Sequence, residues 1–180
     1  MSKKVLKALK KRFKKELIDS HNHVGDETIL IAPEHLLEVA TFLRDDPKMS
    51  FEILTDVTAM DYLRREPRFE VVYHFHSLTK KHRVRVKVLV EEGNEVVPSL
   101  TGLWRSANWG EREVWDMFGI RFEGHPDLRR ILMYEEFEGF PLRKDYPVQQ
   151  SQPRMDLRAR ERDALEEYKT IYRDGGKSAQ

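Results

Sequence analysis

The chain has 180 residues, no cysteine, and 32 basic against 31 acidic side chains. That size fits one domain or one domain with an appendage, and the absent thiols exclude disulfides, thiolate zinc sites, Cys-ligated iron–sulfur clusters and a thiol nucleophile. The net charge of +1 hides a split: residues 1–15 carry eight basic residues and no acid, leaving 24 basic against 31 acidic residues in the remainder, a net of −7.

A basic nucleic-acid module is a poor description of such a chain as a whole, although a basic arm on an acidic body fits. The longest stretch without a charge, about 96–104, is far short of the roughly 20 apolar residues of a membrane span. No apolar core follows the charged N-terminus, as a secretory signal would require. The expectation is a soluble, cytosolic protein with one modest core.

In chain order, Val5, Leu9, Phe13 and Leu17 recur at i+4 and predict an amphipathic helix over 2–18 with a Lys/Arg outer face. Residues 28–32 read as a short buried strand. Pro33 then opens a helix with Leu36, Val39, Ala40 and Leu43 as its inner stripe, ended by Asp45-Asp46-Pro47. Residues 51–63 form a second strand region. The clearest signal is a hairpin: Phe69, Val71, Tyr73 and Phe75 alternate along one strand, and Val84, Val86, Val88 and Val90 along the next. Residues 1–92 thus read as an α+β domain, a mixed sheet of about four strands with helices on one face.

After Gly93 the character changes. Between Pro98 and Pro147 lie four of the eight prolines, five of the nine glycines and all three tryptophans. Apart from a helix over 106–118 the segment 93–148 is aperiodic, which suits an irregular extension wrapped over the domain or a partner. The polar tail, 149–180, could dock one helical face through Leu157, Ala164, Leu165, Tyr168 and Ile171.

No glycine-rich phosphate loop is present in the sequence. His74, His76 and His82 could converge at the hairpin, but no carboxylate accompanies them in a ligand position, so a solvated cross-strand face is the better reading. His21 and His23 flank what reads as a polar turn. Glu111, Glu113, Asp116 and His125 could supply an acid–base pair. As structure, they are charged flanks of an aromatic anchor, Trp115 and Phe118, with Arg112 and Asp116 as i,i+4 neighbours able to pair. Gly119 suits a left-handed helix end. Asp127 can cap a short helix bearing Arg129-Arg130, and Glu138 to Pro147 is an extended strip bracketed by prolines.

Glu111-Arg112-Glu113, Trp115 to Ile120, Phe122, Gly124 to Leu132 and Gly139 to Pro147, in this order and spacing, resemble the C subunit of respiratory complex I, the proton-pumping NADH:quinone oxidoreductase. The resemblance implies a non-catalytic scaffold subunit of the peripheral arm, with no cofactor of its own and with FMN and iron–sulfur clusters held by partner subunits. It implies packing on the quinone-site large subunit (the D subunit) and on other peripheral-arm subunits. The interface would draw on Glu111, Arg112, Glu113, Trp115, Asp116, Phe118, His125, Asp127, Arg129, Arg130, Phe140, Arg143, Asp145 and Tyr146. It implies no nucleic-acid partner, and contact with the membrane only through the complex, at the cytoplasmic face of a bacterial inner membrane. Competing readings are the equivalent subunit of a membrane-bound hydrogenase or other-donor quinone oxidoreductase, a nucleic-acid module using the basic helix, and a hydrolase using Glu113, Asp116 and His125.

Overall fold

A computed structural model describes residues 4–153. Residues 4–135 and 139–150 belong to one compact unit, and 136–138 with 151–153 to a second. The helix predicted in the tail lies outside the described residues.

The strand alternations build a five-stranded mixed sheet in the order β1-β2-β5-β4-β3. Its members are β1 (Leu17–His23), β2 (Asp26–Ile31), β3 (Ile53–Asp61), β4 (Phe69–Ser77) and β5 (His82–Val90). Only the β2–β5 pair is parallel; the other neighbours are antiparallel. Register pairs Val57 with Tyr73 with Val86, and Ala59 with Val71 with Val88, so every second residue feeds one apolar face. That face shares a single core with α1 (Lys4–Arg12), α2 (Leu36–Asp45) and α3 (Ala107–Phe118). A small parallel pair, β6 (Val96–Pro98) with β7 (Arg121–Glu123), brackets α3. The α+β class and the one-sided helix layer are as expected.

Three details differ from expectation. The first helix ends at Arg12, and Leu17 begins an additional strand instead. Strand β1 is an edge strand with mostly exposed side chains, so it carries no apolar alternation to betray it. It joins β2 through Val24 (φ 51°) and Gly25 (φ 94°), a two-residue turn with both φ positive. His21 and His23 therefore sit on a strand. Second, Pro33 opens a short 3₁₀ turn, Pro33–His35, that leads into α2.

Third, the basic helix is no free arm. Val5, Leu9 and Phe13 are fully buried. Burying three such side chains contributes roughly 5–9 kcal/mol before entropy, enough to hold a nine-residue helix that would be marginal alone. A buried carboxylate from the sheet, Glu27, faces this first turn, where the Val5 and Leu6 backbone N–H groups pull its pKa down. Burial nonetheless leaves the Glu27 pKa above its ordinary value. Phe13 packs edge-on to Phe42 of α2 at 5.4 Å, with the Arg12 guanidinium 4.9 Å from the Phe42 ring.

Candidate partner-binding segment

Helix α3 lies against β3 because Gly110 has no side chain: a Cβ there would stand 2.8 Å from the Val57 Cβ. Ser106, at the helix start, donates its hydroxyl to the Leu54 carbonyl (2.9 Å), and the Trp104 indole N–H donates to the Phe51 carbonyl (3.2 Å). The helix ends in Gly119 at φ 77°, the left-handed end expected of it. Gly119 has a second reason to be glycine, since a Cβ would strike the Phe140 ring at 2.5 Å.

With the helix seated, its charged residues turn inward as well as outward. Arg112 and Asp116 do not pair with each other. They act as a clamp on the strap that follows β7. Arg112 Nε and Nη2 donate to the carbonyls of Arg129 (3.1 Å) and Arg130 (3.0 Å). One Asp116 carboxylate oxygen accepts three successive backbone N–H groups, from Ile131 (3.0 Å), Leu132 (2.8 Å) and Met133 (2.9 Å). The other accepts from the Arg130 guanidinium at 2.6 Å. One helical turn thus satisfies both the acceptors and the donors of an aperiodic strap, which has no sheet to bond to. Burial raises the Asp116 pKa, but these donors outweigh it and hold the carboxyl below its ordinary range.

The proline-bracketed strip returns over the end of the same helix. Leu142 N–H donates to the Met117 carbonyl (3.1 Å) and Arg143 Nε to the Phe118 carbonyl (2.5 Å). The Arg143 guanidinium lies 5.0 Å from both the Phe69 and Phe140 rings. Beside it, Arg68 is 3% exposed and makes a bidentate pair with fully buried Asp61, at 2.8 Å for each contact. Arg68 also binds Glu92 and Asp145, and Asp61 accepts the Lys144 N–H at 2.7 Å. Sequence reasoning passed over Arg68 and Asp61. The only signal was an arginine leading straight into a strand with an apolar inner face, a costly place for an unpaired charge.

Glu111 points into the core instead. It accepts from the Ser99 hydroxyl (2.6 Å) and the Leu100 N–H (2.7 Å), and burial pushes its pKa up to about 7. The nearby Tyr73 hydroxyl is fully buried with no hydrogen-bond partner among the described residues. A carboxyl raised in the fold takes up a proton on folding, so stability falls as pH rises from about 4.5 to about 7. The drop amounts to at most about 3 kcal/mol. Glu111→Gln is expected to remove it, measured as urea-unfolding free energy against pH. Parallel wild-type and variant curves would refute this reading of Glu111.

Residues 127–133 form an irregular strap and not the expected short helix, and the residues expected at an interface differ in exposure. Glu111 and Asp116 are fully buried and Arg112 and Phe118 nearly so, and their polar groups are spent within the chain. A partner has no access to them. Trp115, Arg130, Phe140, Arg143 and Tyr146 are half-buried and chiefly hold the strap. Asp145 is exposed but bound to Arg68. His125 accepts the Asp127 N–H at Nδ1 and donates from Nε2 to the Asn108 carbonyl. Glu113 and the Asp127–Arg129 ion pair (3.0 Å) remain on the surface. They are joined by exposed Trp109 and Leu132, which line a groove of about 250 Å³ with Ile131. Leu132 lies within the motif stretch, but neither it nor Trp109 was among the residues expected at an interface. Of the acid–base candidates, Glu111, Asp116 and His125 engage different partners and Glu113 is exposed, so the four do not form one constellation. His74 and His76 pair across the sheet with Arg85 and Arg83, whereas His82 turns to the opposite face and stacks on Phe51 at 4.7 Å, so the three imidazoles do not converge. Among the described residues no group of three or more His, Asp or Glu side chains could hold a metal ion.

A mixed sheet with helices on one face and a C-terminal strap clamped by one helix defines a small α+β domain. The family model described as the respiratory-chain NADH dehydrogenase 30 Kd subunit matches residues 29–152, and the chain belongs to this family. It is 52% identical over 144 residues to the NADH-quinone oxidoreductase C subunit of Roseiflexus sp. (strain RS-1), covering 80% of this chain and 83% of that one. It is 50% identical over 137 residues to the second such C subunit of Rhizobium etli (strain CIAT 652), covering 76% and 73%. A solved structure of an Nqo5 trypsin-resistant fragment (1-134) superposes with a TM-score of 0.61 at 35% identity, covering 69% of this chain and 98% of the fragment. A chain of an archaeal membrane-bound sulfane sulfur reductase shares the fold, with TM-score 0.69 at 17% identity.

Proposed function

We propose that the chain is a non-catalytic scaffold subunit in the peripheral arm of an NADH:quinone oxidoreductase that couples electron transfer to proton translocation. In this reading FMN and the iron–sulfur clusters reside in partner subunits, in keeping with a chain that has no cysteine to ligate a cluster. The complex sits at the cytoplasmic face of a bacterial inner membrane. Among the described residues no helix is long and apolar enough to cross a membrane, and attachment through partner subunits requires none.

One observation carries the proposal. Arg112 and Asp116 of α3 are consumed in fixing the strap, and the outcome is a surface that sets Trp109, Leu132, Glu113 and Arg129 outward. An exposed tryptophan beside an apolar groove, rimmed by charge, has the composition of a protein–protein hot spot. The large quinone-site subunit is the partner assigned to it.

Co-expression of the tagged chain with that subunit, followed by size exclusion, tests the assignment. Trp109→Ala and Arg129→Ala are each expected to weaken association by about 2 kcal/mol, roughly thirtyfold in Kd, with the melting temperature of the isolated chain unchanged. Absence of a stable complex with the wild-type chain would sink the proposal.

A further inference from the structure

A second surface, away from α3 and its strap, has no part in that function. The tip of the β4–β5 hairpin, the segment after α2 and the side of α1 enclose a groove of about 910 Å³. Lys48, Lys80, Lys81 and Arg83 line it; all four are exposed, and none forms an ion pair among the described residues. Ala8, Pro47 and Met49 supply an apolar floor. The opposing charges are Asp26, exposed at the rim, and Glu27, which is buried with one carboxylate oxygen lacking a hydrogen-bond partner among the described residues. Cations are in clear excess.

The groove is rigidly built. Glu52 accepts from the Leu78 N–H (2.9 Å) and the Thr79 hydroxyl (2.6 Å), and Ser77 Oγ accepts the Lys80 N–H (3.1 Å). His82 donates Nε2–H to the Met49 carbonyl (2.8 Å) while stacked on Phe51. Lys81 holds a left-handed backbone, φ 53°, at a position where glycine or asparagine would cost less. A strained cationic residue on a pinned turn is a reason to look for a ligand.

We infer that this groove docks an acidic, partly apolar segment of another protein chain. Charge complementarity selects the sign of the occupant, and the apolar floor between two cationic walls suits a peptide over a point anion. An anionic bilayer is a poor match. A helix that enters a membrane needs a free apolar face, and Val5, Leu6, Leu9 and Phe13 are all buried in the core. Single-stranded nucleic acid would want open aromatic platforms, and the nearest rings, Phe51 and His82, are already stacked on each other.

The test uses the full chain and a fluorescein-labelled peptide of about twelve residues alternating Glu and Leu, read by anisotropy at about 50 mM and about 300 mM sodium chloride. Binding is expected at low salt, weakened about tenfold or more at high salt. Lys80→Glu with Lys81→Glu, and separately Arg83→Glu, are expected to reduce affinity about tenfold or more with unchanged melting temperature. Lys14→Glu with Lys15→Glu, a charge change of the same size as the double groove variant but on the N-terminal basic segment, serves as the control and should lose far less. The inference is overturned by any of three results. The peptide fails to bind at low salt, the groove and control variants lose affinity equally, or phosphatidylglycerol vesicles or an oligonucleotide bind more tightly than the peptide. None of these results bears on the α3 surface, so this test and the co-expression test fail independently.

Discussion

Asp116→Ala is expected to lower the melting temperature by about 10 °C and to open the strap to trypsin at Arg129 and Arg130. The carboxylate is fully buried and serves four donors, three backbone amides and the Arg130 guanidinium. Alanine leaves all four without it in a place water reaches poorly. Removing one member of a buried charged network costs about 3–5 kcal/mol. A domain of this size loses about 2–4 °C per kcal/mol. Asp116→Asn keeps the shape and one acceptor oxygen but gives up the charge, so about half that loss is expected. Acid should imitate the substitution. The folded-state pKa is depressed, so the contribution is present above the unfolded value of about 3.8 and lost as pH falls below it. The susceptible peptide bonds are those whose carbonyls Arg112 holds, which makes proteolysis a direct readout of the clamp. A variant that melts within a degree of wild type and resists trypsin equally would show that the clamp is ornamental.

Arg68→Ala is expected to be comparably severe, for a different reason. Arg68 is the sole cation paired with fully buried Asp61 among the described residues. Its loss strands a carboxylate with only the Lys144 N–H, again at about 3–5 kcal/mol. The same guanidinium anchors Asp145, so residues 143–146 should loosen together. Asp145→Ala should cost under about 1 kcal/mol, because that carboxylate is half exposed and solvent replaces much of what it gains. Arg68→Met combined with Asp61→Leu should recover most of the loss, since an apolar pair leaves no unpaired charge. Urea unfolding of the three variants gives the ordering. Asp145→Ala matching Arg68→Ala, or a double variant no better than Arg68→Ala, would rule the account out.

The fold was legible where burial imposes a period. The 69–77 and 82–90 strands alternate because one face is apolar and the other carries Glu70, His74, Arg83 and Lys87. The inner stripe of α2 is the set Leu36, Val39, Ala40 and Leu43 that the spacing marked. Strand β1 was illegible because an exposed edge has no apolar face to write into the chain, and its pairing with β2 is a backbone matter. In the site, spacing placed Arg112 and Asp116 one turn apart, yet that geometry serves equally for a pair with each other or for a joint grip on a third segment. The choice depends on residues 129–133, which have no periodicity of their own.

The asymmetry of charge along the chain is resolved in the same way. Composition determined that the N-terminal segment would be basic and the remainder acidic, that no cysteine chemistry exists, and that residues 111–147 carry a family pattern; these are properties of residue identity and order. Only the tertiary structure decided which charges are available. It turned Glu111 and Asp116 inward, tied Arg68 to Asp61, and buried the apolar side of the basic helix. Lys80, Lys81 and Trp109 were left facing solvent. The physical reason is that exposure depends on neighbours brought together from far along the chain, and no local pattern of residues encodes which surface those neighbours will cover.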